Sequence, residues 1–199
     1  MTIQRSGASR DAGMNAHATT IGASPSLVFF SGSLGANCAA ADPSGTLATL
    51  TLPASPFTAA SGGTGVLAHA GTWTGTASAT GTAASYRIKQ GATCHEQGTC
   101  GASATAATSA ASSANANTLT FASSPSGFAV GMNLSGTGIP AGTTIVAIAG
   151  GTVTVSRTLT AGVASGTTIT AAPDLVLNNA SLASGQTVTA TYSLTAADA

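Results

Sequence analysis

The residues that could take part in chemistry are few, and most lie in one stretch, CHEQGTCG, residues 94–101. Cys94, His95, Glu96 and Cys100 are residue types that bind metals or act in catalysis. A tetrahedral zinc site needs four ligands, usually from two closely spaced pairs of cysteine or histidine. The second pair is missing here, and in a strand Cys94 and His95 would point to opposite faces. The stretch therefore predicts neither a metal site nor a bound cofactor.

The three cysteines, Cys38, Cys94 and Cys100, leave several redox arrangements open. They allow one disulfide with one free thiol, or a bridge to another molecule. If residues 95–99 form the turn of a hairpin, the Cα atoms of Cys94 and Cys100 would approach to about 5.5 Å. We predict a Cys94–Cys100 disulfide that forms after release from the cell, with Cys38 on an exposed loop available to bridge a neighbour. The alternative is three reduced cysteines, as is usual in a cytoplasm.

Acid–base or nucleophilic catalysis is not predicted. A serine nucleophile requires a histidine base and an orienting carboxylate, but the histidines are scattered and no GxSxG motif is present. The carboxylates lie in expected turns or near the termini, which does not favour hydrolysis by a carboxylate pair. Neither glycine-rich segment, 61–65 or 135–142, continues into the Lys-Ser or Lys-Thr of a phosphate-binding loop. We predict that the protein is not an enzyme. The residues weighed are His17, His69, His95, Asp11, Asp42, Glu96, Asp174 and Asp198.

The charge content restricts the partners. Only 5% of residues are charged, and the five basic residues balance the five acidic ones, whereas soluble domains carry about 25%. Nucleic-acid binding requires clustered cations that displace counterions from phosphate, and attachment to a membrane surface requires a polybasic segment. Neither partner is predicted. Because near-zero net charge favours association, we predict a homo-oligomer within a large assembly.

Runs of β-branched and apolar residues between turn residues predict an all-β fold, with an antiparallel sandwich or barrel-like domain. Residues 8–20 are the only segment with helical character. Ser9 is its expected N-cap and Gly13 weakens it. The expected strands are residues 26–32, 46–53, 65–78, 85–90, 117–122, 128–136, 142–149, 152–159, 166–171, 175–179 and 187–195.

A nearly uncharged segment, residues 102–172, interrupts the chain. Its first part, residues 102–117, has low complexity and is interpreted as a linker, and the remainder has a β pattern. The sequence therefore predicts a discontinuous β domain of residues 1–101 and 173–199. A second small β domain, residues 102–172, would be inserted in a hairpin loop of the first.

Five segments outside the insertion combine β alternation with turn residues: SLVFFSG (26–32), ANCAAADPSGTLATLTL (36–52), SYRIKQ (85–90), GATCHEQGTCG (91–101) and DLVLNNASLASGQTVTATYSLTAADA (174–199). Together they resemble a family of small structural proteins of tailed bacteriophages. In that family the segments resembling GTCG and DLVLNN are almost contiguous, whereas here residues 102–172 intervene. Within the insertion, residues 128–156 are similar to a small β module of phage structural proteins and some bacterial surface proteins.

The resemblance implies a virion component on the head or at the head–tail neck, either a capsid decoration protein or a collar protein. Its partners would be copies of itself and the major capsid or head–tail connector proteins. The N-terminal residues contain no apolar run of the kind found in secretory signals, as expected for synthesis in the host cytoplasm and release by lysis. The alternative is a receptor- or carbohydrate-binding fibre or adhesin module, in which the insertion is the binding head and Phe121 and Phe128 are its available aromatic residues.

Overall fold

The structure is a computed structural model that describes residues 5–196. Strands predominate, and the single helix of this range lies near the N-terminus, so the predicted all-β class is confirmed. In chain order the elements are α1 (Gly7–Ile21), β1 (Ser26–Phe30), β2 (Thr46–Thr51), β3 (Phe57–Thr58), β4 (Val66–His69), β5 (Trp73–Thr76), β6 (Gly81–Thr82), β7 (Ser85–Gln90), β8 (Thr93–Gly101), β9 (Ala104–Ala107), β10 (Thr118–Thr120), β11 (Asn133–Ser135), β12 (Thr143–Ala149), β13 (Thr152–Val155), β14 (Thr168–Ala172), β15 (Leu175–Leu177), β16 (Ser181–Leu182) and β17 (Thr187–Thr195).

The chain divides into two compact units. The first unit comprises Met1–Gly101 with Asp174–Ala199, and the second comprises Ala102–Pro173. This division differs from the expected one only in the placement of Pro173. The expected ends of the first domain, residues 1–4 and 197–199, lie outside the described residues.

The strands that flank the second unit are parallel, which corrects the predicted insertion in a hairpin loop. Residues Leu175 and Val176 of β15 pair in parallel with Cys100 and Gly101 of β8. Parallel neighbours cannot be joined by a tight turn, because the chain must return to the same end of the sheet before the second strand begins. The second unit therefore forms the crossover connection between two adjacent parallel strands.

The first unit contains a nine-stranded sheet and a separate two-stranded sheet of β6 and β16. The strand order of the larger sheet is β2-β1-β7-β8-β15-β17-β4-β3, and β5 also pairs with β17. The expected single strand 65–78 is broken at Gly71, whose φ of 68° is favoured by glycine. The break lets β4 and β5 pair with successive parts of β17. An isolated bridge between Ala48 and Ala77 then links β2 with the chain after β5. The sheet encloses the larger core, which includes Leu27, Phe29, Leu50, Trp73, Ile88, Leu175, Val188 and Tyr192.

The helix α1 starts earlier than the sequence predicts. Its N-cap is Ser6, whose Oγ accepts a hydrogen bond from the backbone N of Ser9 at 3.2 Å, so Ser9 is not the cap. Gly13 is tolerated in the helix, and a Cβ at this position would meet no neighbouring atom. Of the helical residues only Ile21 is buried. The helix therefore depends on contacts other than an apolar face.

The second unit is a six-stranded sheet in the order β10-β13-β12-β11-β14-β9. Its first strand, β9, lies within the segment interpreted as a linker, which corrects that interpretation. A further bridge, between Ala110 and Thr120, joins the chain after β9 to β10 at the other end of the strand order. Strand alternation directs one set of side chains inward. The resulting core comprises Leu119, Phe121, Phe128, Leu134, Ile145, Val153, Val155, Leu159, Val163, Ile169 and Ala171.

Candidate functional site

Strand β8 carries two polar clusters, and a bulge at His95 places them on opposite faces of the sheet. Ile88 of β7 pairs with Glu96, but the next residue, Lys89, pairs with Cys94, so His95 is the extra residue. Without the bulge, Cys94 and Glu96 would share a face. Instead, Glu96 lies on the core-facing side with Ile88, and Cys94 lies on the opposite side with Lys89.

The first cluster is centred on the carboxylate of Glu96, whose side chain is only 12% exposed. Its Oε1 accepts a hydrogen bond from the hydroxyl of Tyr86 at 2.6 Å. Its Oε2 accepts one from the hydroxyl of Tyr192 at 2.7 Å and lies 2.7 Å from Nε2 of His17 on α1. Hydrogen bonds this short are typical of a charged acceptor. We call these four residues the Glu96 cluster.

The members of the Glu96 cluster perturb one another's protonation. Burial, followed by the charge of Glu96, raises the pKa values of Tyr86 and Tyr192 far above their usual range. The hydrogen bond to Glu96 raises the pKa of His17. Both tyrosines therefore remain protonated donors at any physiological pH, and neither supplies a phenolate nucleophile. Since both carboxylate oxygens accept hydrogen bonds, the cluster stabilises a buried charge.

Gly98 is required by close packing beside this cluster. A Cβ at Gly98 would lie 2.7 Å from Cε1 of Tyr86 and 3.0 Å from Oδ2 of Asp174. The same Asp174 oxygen accepts hydrogen bonds from the backbone N and the hydroxyl of Thr99, both at 2.9 Å. Gly98 is thus a residue of strand β8 and not of a turn, and Asp174 fixes the start of β15 beside β8.

The second cluster is centred on Arg87. The alternation of β7 places this residue on the exposed face of the strand, but it is only 2% exposed. Its Nη1 donates hydrogen bonds to the carbonyl of Ala40 and to Oδ1 of Asp42, both at 2.9 Å. Its Nη2 donates to the carbonyl of Asn37 at 3.2 Å and to Oε1 of Gln97 at 3.0 Å. The Nε atom is buried without a partner. Arg87 is therefore covered by the loop of residues 31–45, which it holds against the sheet.

Neighbouring polar side chains reinforce this attachment. Lys89 donates a hydrogen bond to Oδ2 of Asp42 at 2.7 Å, and Gln97 donates one to the carbonyl of Gly35 at 2.7 Å. The hydrogen bond from Lys89, followed by that from Arg87, lowers the pKa of Asp42. Because the Asp42 carboxylate accepts hydrogen bonds from both Lys89 and Arg87, it holds the loop against the guanidinium.

The disulfide joins Cys38 to Cys94, with a Cα–Cα distance of 5.3 Å, so the predicted Cys94–Cys100 pairing is wrong. Residues 94–100 lie in the continuous strand β8, and six residues of extended strand separate the two cysteines by about 20 Å. Cys100 is instead a buried free thiol. Burial is the main factor that raises its pKa to about 12, which makes it unreactive. Cys38 is therefore used within the chain and is not available to bridge a neighbour.

An open cavity of about 600 Å³ lies beside the disulfide, lined by residues 38–40 and 92–94 and by the side chains of Asp42, Arg87 and Lys89. Each of the three charged side chains is already hydrogen-bonded to another residue of the cluster. The charged side chains that line this cavity therefore hold the loop to the sheet. Among residues 5–196, no three His, Cys, Asp or Glu residues come together as a metal site would require.

The structure brings His17 and Glu96 together but not the other histidines. His95 is the bulge residue, and Nδ1 of His69 lies 3.2 Å from the backbone carbonyl of Tyr192. The His17–Glu96 contact joins residues 79 positions apart, so no local spacing could have revealed it. Of the carboxylates weighed above, Asp198 lies outside the described residues.

Trp73, Phe121 and Phe128, aromatic residues with faces large enough to stack on a sugar, are in the two cores. Trp73 is 1% exposed, and its ring stacks on that of Tyr192 with centroids 5.4 Å apart. In the second unit, Phe121 and Phe128 are both buried and make an edge-to-face contact at 5.6 Å. These rings stabilise the units and do not form an exposed stacking platform.

Comparison with known proteins provides no assignment. No protein-family model, no curated protein and no solved structure matches this chain. In the described part of the chain, no helix is long and apolar enough to cross a membrane. The function is therefore inferred from the chain's own residues.

Proposed function

We propose that this protein is a non-enzymatic structural component of a bacteriophage particle, a capsid decoration or head–tail neck and collar subunit. It acts by assembling with copies of itself and by docking to the major capsid or head–tail connector proteins. The resemblance of residues 26–32, 36–52, 85–101 and 174–199 to small structural proteins of tailed phages motivates this assignment.

One observation carries the proposal: the side chains suited to chemistry are engaged in holding the first unit together. The carboxylate of Glu96 has donors at 2.6–2.7 Å on both oxygens, and the guanidinium of Arg87 has four acceptors. Catalytic acids and bases need access to a substrate and a pKa suited to proton transfer. Residues this buried, with both Glu96 oxygens and both Arg87 Nη atoms hydrogen-bonded within the protein, are instead typical of a structural protein.

The second unit supports the same function through its surface. Its cross-strand pairs Thr118–Thr154 and Thr120–Thr152 present hydroxyl groups, while Leu119 and Val153 between them are buried. The segment contains a single charged residue, Arg157. A nearly neutral hydroxyl-rich surface has little electrostatic repulsion to prevent contact with an identical surface, as a subunit of a symmetric assembly requires.

The adhesin alternative receives less support. Phe121 and Phe128 were its available aromatic residues, and both are in the core of the second unit. Sugar-binding sites commonly present an aromatic face to the ligand, and a buried edge-to-face pair offers none. Virion attachment through the first unit remains the better proposal.

The direct test is the location of the protein in purified particles. Particles from a phage that carries this coding sequence would be analysed by mass spectrometry and by cryo-electron microscopy with a labelled antibody. We expect the protein at a fixed copy number on the head or neck. Its absence from washed particles, with the major capsid protein as the internal control, would refute the proposal.

A variant distinguishes the roles of the two units. Residues 102–173 would be replaced by about twelve Gly and Ser residues, because a crossover between parallel strands needs roughly that length. If the first unit docks to the particle, the shortened protein should be incorporated at the wild-type copy number. A shortened protein that folds, as judged by circular dichroism, but is missing from particles would place docking in the second unit.

A further inference from the structure

Several polar contacts attach helix α1 to the rest of the first unit. Asp11 accepts hydrogen bonds from the backbone N atoms of Gly63 and Gly65, both at 2.7 Å. Asn15 exchanges two hydrogen bonds, of 3.0 and 2.8 Å, with the backbone of Ala60. With only Ile21 of the helix buried, the attachment depends strongly on the few polar side chains that reach the sheet and its loops.

One of these polar contacts ends on a buried charge. Nε2 of His17 lies 2.7 Å from Oε2 of Glu96, and the two side chains are 27% and 12% exposed. We propose that His17 is a pH-dependent latch for helix α1. Protonated His17 closes an ion pair with Glu96, and its deprotonation loosens the helix while the strands of the first unit remain folded.

The carboxylate side of the latch is fixed independently of the helix. The hydroxyls of Tyr86 on β7 and Tyr192 on β17 both donate to Glu96, and both tyrosines are 2% exposed. When His17 loses its charge, Glu96 still accepts hydrogen bonds from the two tyrosine hydroxyls, so its position should not change. The change in free energy therefore falls on the contact that α1 makes, and the sheet is unaffected.

Protonation favours the closed state for a specific reason. The hydrogen bond to Glu96 raises the pKa of His17 above its usual value of 6.5, burial opposes this rise, and the charge of Glu96 adds to it. A histidine whose pKa is raised in the docked state stabilises docking fully below pH 6.5, and this contribution is lost as the pH rises through the raised pKa. The latch is thus closed in mildly acidic solution and weaker in alkaline solution.

The other charged groups on α1 and β7, and His69 on β4, engage other partners. Arg10 and Asp11 on α1 contact residues 63–65, and His69 on β4 contacts the backbone of β17. Arg87 and Lys89 on β7 bind Asp42 on the opposite face of the sheet. Glu96 is the group whose charge and hydrogen bond raise the pKa of His17.

The test is hydrogen–deuterium exchange with mass spectrometry on the full chain between pH 5.5 and pH 9, with uptake corrected against unstructured peptides of the same sequence. Peptides from α1 should lose protection by roughly fivefold across this range, because a hydrogen bond between charged groups is stronger than a neutral one. Peptides from β7, β8 and β17 should keep theirs. NMR titration of the His17 ring should give a pKa above 6.5.

Two variants make the outcome decisive. His17→Gln removes the titration but retains a donor, so its α1 protection should not change with pH. His95→Gln removes a neighbouring histidine on β8 and should behave as the wild type. The latch is refuted if wild-type α1 protection is constant over the pH range, or if His17→Gln retains the same pH dependence.

Discussion

The two units stabilise aromatic-poor β structure in different ways. Of the five basic and five acidic residues, only Arg157 lies between residues 102 and 173, and that segment contains no cysteine or histidine. The second unit depends on backbone pairing around an aliphatic core that includes one pair of phenylalanines. The first unit adds buried polar clusters around Glu96 and Arg87, a disulfide and a docked helix. Because the stability of the first unit depends on ionisable side chains and a disulfide, it should change with pH and with redox conditions. The second unit has almost no such contacts, so its stability should change little.

The largest expected effect comes from Glu96→Ala. The substitution leaves the hydroxyls of Tyr86 and Tyr192 and the ring of His17 without their shared acceptor inside the protein. Removing one partner of a buried charged network costs about 3–5 kcal/mol. Denaturant titration followed by hydrogen exchange should show this loss in first-unit peptides and leave second-unit peptides unchanged.

Glu96→Gln is the matched variant, because it keeps the shape and one acceptor oxygen. It should destabilise the first unit by less than Glu96→Ala. Equal losses for the two variants would indicate that volume, not hydrogen bonding to a charge, determines the stability at this position.

Reduction of the Cys38–Cys94 disulfide is expected to have the next largest effect. The bond joins residues 56 positions apart, and loss of a native disulfide that closes a long loop typically costs about 2–4 kcal/mol. The double variant Cys38→Ser with Cys94→Ser should have a lower unfolding free energy, again only in the first unit. Cys100→Ala is the control for thiol chemistry and should respond to reductant as the wild type does.

Arg87→Lys should destabilise the first unit by less than loss of the disulfide does. The substitution keeps the positive charge but removes the guanidinium, so it tests the hydrogen bonds separately from the charge. One ammonium group cannot reach the four acceptors on Asn37, Ala40, Asp42 and Gln97, and the lost hydrogen bonds should cost about 2 kcal/mol. Limited proteolysis should cut residues 31–45 sooner in this variant.

Lys89→Met is the control for Arg87→Lys, because Lys89 makes a partly exposed ion pair with Asp42. Such pairs contribute about 0–1 kcal/mol, so the loop should remain resistant to cleavage. If Lys89→Met opens the loop as readily as Arg87→Lys, the guanidinium is not what holds it.

The sequence predicts this fold well where composition or alternation changes sharply. The loss of charge at residue 102 marks the boundary between the units, and β7 and β17 have the expected bounds. Strand β9 was missed because its four residues, ATAA, show no apolar alternation. It is a strand because it pairs with β14. The turn predicted over residues 95–99 is instead part of strand β8, where contact with Tyr86 requires Gly98.

The polar clusters could not be predicted, because each depends on contacts between distant segments. A single bulge at His95 decides that Glu96 faces the core and Cys94 faces the loop, and this in turn determines the disulfide partner. The alternation of β7 predicts that Arg87 faces solvent. Arg87 is buried because a loop some fifty residues earlier in the sequence covers it. Local patterns predict strands, but they do not predict which loop covers an outward-facing side chain.

The most direct test of this comparison is hydrogen exchange of the wild-type chain in increasing urea, with and without reductant, resolved into peptides of the two units. We predict that reductant lowers the urea midpoint of first-unit peptides and leaves that of second-unit peptides unchanged. A common midpoint for both units that shifts equally with reductant would contradict it, because the two units would then share one source of stability.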